Sequence, residues 1–110
     1  MSHEKNQNLI KALQDCANAC NHCTTACLDE QNVQAMANCI KLDIDCAEIC
    51  RLTISLLARG SEHGKHLLKE CAEVCDACAA ECEKHAHHHD HCKECAEACR
   101  ACAQACRTAA

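Results

Sequence analysis

Cysteine accounts for most of the chemistry that this sequence can perform. The chain of 110 residues contains 16 Cys, spaced mainly three or four positions apart in four separate segments. These are Cys16, Cys20, Cys23 and Cys27, then Cys39, Cys46 and Cys50, then Cys71, Cys75, Cys78 and Cys82, and finally Cys92, Cys95, Cys99, Cys102 and Cys106. Catalytic redox chemistry needs one or two activated thiols, whereas many thiolates together suit soft metal ions. The count therefore indicates metal binding.

Seven cysteine pairs are separated by four positions, as Cys16 and Cys20 are. Residues so spaced are neighbours on one face of a helix, with Cβ atoms about 5–6 Å apart. Two such thiolates can hold one ion from a single helix, which suits Cu(I), a soft ion that accepts few ligands. Structural Zn(II) takes four ligands in a tetrahedron, which facing helices could supply together. The spacing favours many Cu(I) ions and leaves a zinc or mixed-metal thiolate buffer as the alternative.

Other metal-binding side chains lie close to the cysteine segments. Before the fourth segment the chain is rich in histidine, with His85, His87, His88, His89 and His91. Imidazole and thioether groups bind copper, so we expect these histidines and Met36 to acquire incoming ions. Among them, His85 and either His88 or His89 best continue the cysteine spacing. Asp43 stands where a cysteine would complete the second segment, and we expect it to hydrogen-bond or balance charge rather than bind Cu(I) permanently.

Helices must position these side chains. The chain has no Pro, and Ala, Glu, Lys, Gln and Leu favour helix along its length. Alternating steps of three and four place each cysteine segment on one helix face. We predict a single all-α domain over residues 1–110, with helices near 4–30, 34–59, 62–84 and 88–107. Turns are expected near Val33, Gly60 and His87, where Gly60 ends the second helix and Ser61 caps the third.

Cysteines of successive segments match in opposite directions with a nearly constant register, and the second half of the chain repeats the first. This predicts an antiparallel up-down-up-down four-helix bundle with a Cys-lined core. Cys39 and Cys92 have no cysteine four residues away on either side, so they must find partners across helices. The register also predicts two unlike ends. One is an apolar plug of Leu9, Leu13, Leu57, Leu67 and Leu68, and the other is an open end of Cys27, Cys39, Cys82 and Cys92 beneath the histidines.

The second helix carries more apolar surface than one bundle core needs. Its cysteines are flanked on one side by Ile40, Ala47 and Ile54, and on the other by Leu42, Ile49 and Leu56. We therefore expect an oligomer interface centred on this helix, with two-fold symmetry.

Composition excludes several classes of protein. A formal net charge of -5 without a basic patch argues against nucleic-acid binding. No apolar run approaches the ~20 residues that span a membrane, and the polar start is unlike a signal peptide. We therefore expect a cytosolic protein whose thiols stay reduced, which argues against a disulfide cage. We expect no enzymatic activity, although a thiol redox protein is a further alternative.

The pattern Cys16-x-x-x-Cys20-x-x-Cys23-x-x-x-Cys27, its repeats from Cys71 to Cys82 and from Cys92 to Cys106, and Cys46-x-x-x-Cys50 resemble the bacterial copper storage proteins, in particular their cytosolic branch. The resemblance implies a bundle whose sixteen cysteines all bind Cu(I), a homotetramer, uptake at one end and a role in copper storage or detoxification. A copper chaperone is then a further expected partner. The chain departs from this pattern at Asp43, which removes one thiol.

Overall fold

Four α-helices and one short 3₁₀ helix make up the described part of the chain. The structure is a computed structural model that describes residues 3–110, with side chains from residue 6 onward. The helices are α1 (His3–Leu28), α2 (Ala37–Ala58), α3 (Gly64–Glu83) and α4 (Asp90–Ala109), and the 3₁₀ helix spans Val33–Met36 before α2. Their ends differ from the expected ones by one to three residues.

The helices form a closed ring in which each packs along two neighbours. α1 packs on α2 and α4, and α3 packs on the same two helices, so α1 lies diagonally across from α3. The bundle is 45 Å long and only 18 by 17 Å in cross-section. Residues 3–110 contain no strand. The predicted all-α antiparallel four-helix bundle is confirmed.

The turn between α2 and α3 is built around Gly60. Its φ of +69° lies in the left-handed region that glycine adopts without strain. The N–H of Ser61 donates to the carbonyl of Leu56, and that of Gly60 donates to the carbonyl of Leu57, which is the Schellman arrangement. The prediction that Gly60 ends the helix was therefore right. The prediction that Ser61 caps α3 was wrong, because α3 begins at Gly64 and the Ser61 hydroxyl accepts a bond from the N–H of His63 instead.

The interior holds small side chains along most of its length. All sixteen cysteines are fully buried, and Ala17, Ala72, Ala79 and Ala103 pack beside them. Because the chain has no aromatic residue, the helices can approach closely enough for side chains on opposite helices to meet.

One end of the interior is apolar. Leu9, Leu13, Leu57 and Leu68 are buried there, and the expected fifth member, Leu67, is only half-buried. The hydroxyl of Thr53 is buried as well and is satisfied by the carbonyl of Ile49 at 2.7 Å. The bundle is therefore closed at this end by hydrophobic packing.

Candidate metal centre

The sixteen buried sulfur atoms line the inside of the bundle, and we call them the sulfur column. Sulfurs that contact one another lie 3.3–4.0 Å apart, and none of the cysteines forms a disulfide. Contacts cross between adjacent helices, as from Cys46 to Cys75 at 3.6 Å, and also between diagonal ones, as from Cys16 to Cys75 at 4.0 Å. The sulfurs of all four helices therefore share one site.

Groups of four sulfurs lie within metal-bridging reach of one another, and successive groups overlap. In each group every pair of ligand atoms is within 4.8 Å. Cys16 and Cys46 belong to two such groups, and so do Cys50 and Cys75. Two metal–sulfur bonds of about 2.3 Å span about 4.6 Å, so the column accepts ions with little movement of the helices. Because four of these groups share members, the part of the column that they cover cannot be divided into isolated sites.

Cys39 and Cys92 make their contacts across helices. The sulfur of Cys39 lies 3.3 Å from that of Cys82, and the sulfur of Cys92 lies 3.9 Å from that of Cys23. Cys27 completes this region, with its sulfur 3.8 Å from that of Cys23. Cys27, Cys39, Cys82 and Cys92 are the four cysteines that the register predicted at the open end, and Cys23 contacts two of them.

Asp43 is a buried carboxylate within the sulfur column. Its Oδ1 accepts hydrogen bonds from the thiols of Cys78 at 3.1 Å, Cys95 at 3.3 Å and Cys82 at 3.7 Å, and its Oδ2 accepts one from Cys39 at 3.8 Å. Burial raises the pKa of Asp43 to about 8. The side chain thus joins α2 to α3 and α4 at a level where α2 has no thiol.

Among the residues whose side chains the structure describes, histidine meets the sulfur column at one position, His91. Its Nδ1 lies 3.5 Å from the sulfur of Cys23, 3.6 Å from that of Cys92 and 3.9 Å from that of Cys27. Its Nε2 lies 2.9 Å from Oε2 of Glu30. The hydrogen bond from His91 lowers the pKa of Glu30. His91 is 13% exposed, so it stands between the thiols and the solvent at the open end.

The other expected ligands surround this position. His85 pairs with Glu81, with Nε2 3.2 Å from Oε2, whereas His87 is exposed. A cleft of about 600 Å³ opens beside them, and its walls include Met36, which is itself buried, and His88 and His89.

The expectation that His85 and either His88 or His89 continue the cysteine-bearing helix faces is not met. α3 ends at Glu83 and α4 begins at Asp90, so all three histidines lie in the turn between these helices. His91 therefore lies in the first turn of α4, beside Cys92. Glu30 was not among the predicted site residues. The sequence did contain a signal for it, because Glu30 is an acidic residue that follows α1 at the same end of the bundle as the histidine-rich turn.

Burial also sets the protonation of two thiols at the open end, Cys27 and Cys92. It raises the pKa of Cys27 to about 12, and it raises that of Cys92 as well. These thiols hold their protons at neutral pH, so a metal ion that binds them must displace protons.

A helical bundle whose interior is lined with sixteen buried thiols belongs to the class of metal-binding proteins. Residues 2–110 match the family model described as copper storage protein, and the chain belongs to that family. Among the described residues, no helix is both long and apolar enough to cross a membrane.

Known relatives have the same fold. The chain is 43% identical to the Cu(I)-bound copper storage protein BsCsp3 of Bacillus subtilis, covering 94% of this chain and 96% of that one with a TM-score of 0.89. It is 42% identical to the copper storage protein Ccsp of Streptomyces lividans loaded with 10 copper equivalents, covering 96% and 83% of the two chains with a TM-score of 0.92. A structure of a cytosolic copper storage protein from Streptomyces lividans with five coppers has the same TM-score and identity and covers 96% of this chain and 91% of that one. The cysteine-rich protein YhjQ of Bacillus subtilis is 46% identical over 84 residues, which are 76% of each chain.

Proposed function

We propose that this protein stores Cu(I) in the sulfur column, with all sixteen cysteines as ligands. The observation that carries the proposal is the set of sixteen buried sulfurs, most of which lie 3.3–4.0 Å from another sulfur. Each bound cation cancels thiolate charge that the narrow interior could not otherwise hold. Taken two per ion, the sulfurs accommodate about eight ions, and sulfurs that bridge neighbouring ions raise that number.

The overlap of the four-sulfur groups favours Cu(I) over Zn(II). A zinc ion in a structural site takes four cysteines for itself. Here Cys16 and Cys46 each belong to two four-sulfur groups, so a zinc ion in one group would take ligands from the other. Separate tetrahedral sites would therefore leave some sulfurs without an ion. Soft ions with few ligands and bridging sulfurs use every position. The Cu(I)-bound relatives support the same assignment.

Copper enters and leaves at the open end in this proposal. His91 faces three thiols there. The cleft beside its partner Glu30 is lined by His85, His88, His89 and Met36, and His87 is exposed in the same turn. These groups acquire ions from solution or from a copper chaperone and transfer them inward. The leucines close the other end, so the open end is the one route to the sulfurs that needs no helix to separate.

The protein acts in this proposal as a cytosolic homotetramer without catalytic activity. A cytosolic relative supports the compartment. On α2, Ile44 is 42% exposed and Leu52 is 51% exposed, although both are large and apolar. Ile40, Ile49 and Ile54 on the same helix are half-buried. Covering this surface with α2 of a second copy satisfies the expectation of a two-fold interface.

A metal titration tests the storage function. Reduced apoprotein is titrated with Cu(I) under nitrogen against a tight Cu(I) chelator, and bound copper is measured by elemental analysis. Thiolate-to-copper absorption is readily seen because the chain has no Tyr or Trp. We expect saturation well above about four ions, the number that separate four-cysteine sites would hold. Saturation at or below that number, or tighter retention of Zn(II) than of Cu(I), would contradict the proposal.

A further inference from the structure

One carboxylate oxygen contacts two histidines at the open end. Oε2 of Glu30 lies 2.9 Å from Nδ1 of His89 and 2.9 Å from Nε2 of His91. The two rings are stacked at a tilt, with centroids 5.3 Å apart. The oxygen therefore contacts a different ring nitrogen of each histidine.

The chemistry of the carboxylate determines which nitrogens carry protons. An ionised carboxylate only accepts hydrogen bonds, so both contacting nitrogens must be N–H donors. In the neutral rings, the nitrogens left without a proton are then Nε2 of His89 and Nδ1 of His91. The second of these is the nitrogen that lies 3.5–3.9 Å from the sulfurs of Cys23, Cys92 and Cys27.

Glu30 is itself held in place by the backbone. Its N–H donates to the carbonyl of Cys27, which ties the carboxylate to one of the thiols that His91 faces. Glu30 is 31% exposed and His89 is 24% exposed, so the hydrogen bonds are partly shielded from water. A second carboxylate, Asp29, is adjacent in sequence and lines the same cleft as His89.

We propose that Glu30 is a positioning residue that holds one unprotonated ring nitrogen of His89 and one of His91 ready for an incoming Cu(I) ion. His89 lines the cleft and receives the ion, and His91 delivers it to the three thiols. A carboxylate that orients a metal-binding histidine through its other ring nitrogen also raises the basicity of that histidine. The inference rests on copper uptake through the open end, as proposed above.

The tautomer of His89 gives a test that needs no metal. A free neutral histidine prefers the proton on Nε2, whereas the contact with Glu30 requires it on Nδ1. Nitrogen-15 NMR of the apoprotein with labelled histidine, assigned with a His89→Asn variant, should show the Nδ1–H form of His89. In Glu30→Ala it should revert to the Nε2–H form, and in the matched control Asp29→Ala it should stay as in the native protein.

Uptake kinetics give the second readout. Cu(I) is supplied as its bicinchoninate complex, and loss of that complex is followed by stopped flow. We expect Glu30→Ala to slow uptake about tenfold, as loss of such oriented partners does elsewhere, with unchanged final capacity. In a protein that already carries His89→Ala and His91→Ala, we expect Glu30→Ala to cause no further slowing, because both rings that Glu30 positions are then absent.

Two outcomes would overturn the inference. One is an unchanged His89 tautomer in Glu30→Ala, and the other is equal slowing in Asp29→Ala, which would show that only charge matters. Failure of the storage function gives a different result, namely low copper capacity in the native protein itself. The tautomer measurement remains decisive in that case, because it is made without copper.

Discussion

Cys39 of α2 and Cys82 of α3 bring their sulfur atoms to 3.3 Å, closer than the 3.8 Å between Cys23 and Cys27 on a single helix. The contact joins the two hairpins of the internal repeat. Neither hairpin alone can therefore form the sulfur column, and the metal-binding unit is the complete bundle. Copper binding should accordingly stabilise the association of the two halves.

Removal of thiols from the middle of the column should reduce its capacity without abolishing it. In the double variant Cys16→Ser and Cys20→Ser, we expect fewer Cu(I) ions at saturation and a folded bundle, because the remaining sulfurs still bridge one another. Bound copper is measured by elemental analysis after chelator competition, and helix content by circular dichroism. Complete loss of copper binding in a folded variant would contradict a shared column.

Asp43 should make the apoprotein less stable as pH rises. In the folded protein the pKa of Asp43 is raised to about 8, whereas in the unfolded chain it has its ordinary value near 3.8. At a pH between these two values the folded protein keeps a proton that the unfolded chain has released. Between these values stability falls with pH, by up to about 1.4 kcal/mol per pH unit. Asp43→Asn keeps the shape and removes the titration.

Urea unfolding of both apoproteins between pH 5 and about pH 7 measures the difference. The native protein should lose stability over this interval more steeply than the variant. Parallel pH profiles for the two proteins would show that Asp43 is not protonated in the folded state.

The leucine plug should contribute to stability and not to capacity. Leu68 is fully buried, and Leu68→Ala should lower the free energy of unfolding by about 2–5 kcal/mol, through lost apolar contact and the cavity left behind. Copper saturation should be unchanged because no sulfur is removed. Leu28→Ala, at a position 53% exposed, is the matched control and should change stability little. A fall in copper capacity in folded Leu68→Ala would show that the plug shapes the metal site.

The exposed apolar face of α2 should hold the subunits together. Lysine side chains in the double variant Ile44→Lys and Leu52→Lys would have to be buried in the interface, so we expect dissociation to monomers. Molar mass is measured by light scattering after gel filtration. Ala101→Lys on α4, which lies diagonally across the bundle from α2, should leave the mass unchanged. An unchanged mass in the α2 variant would place the interface elsewhere.

Much of this architecture could be predicted because the cysteines are spaced at the period of the α-helix, so their positions show which face of each helix is buried. Steps of three and four set the buried face of each helix, and the antiparallel register brought Cys39 and Cys82 to one end. The position of His91 could not be predicted by the same reasoning, since it depends on where α3 stops and α4 starts. Glu30 was not predicted because it lies in a turn and is 61 positions from His91 in the sequence. Helix periodicity gives no information about a contact of that kind.

The leucine plug has a consequence for the order in which stored ions can be used. A column with one blocked end works as a stack, in which the last ion to arrive is the first to depart. Ions near Cys106 and Cys71 would form a slow reserve beneath a rapidly exchanging pool at Cys27 and Cys92. A cell that draws lightly on such a store would reuse the same few atoms of copper and leave the deepest ones untouched.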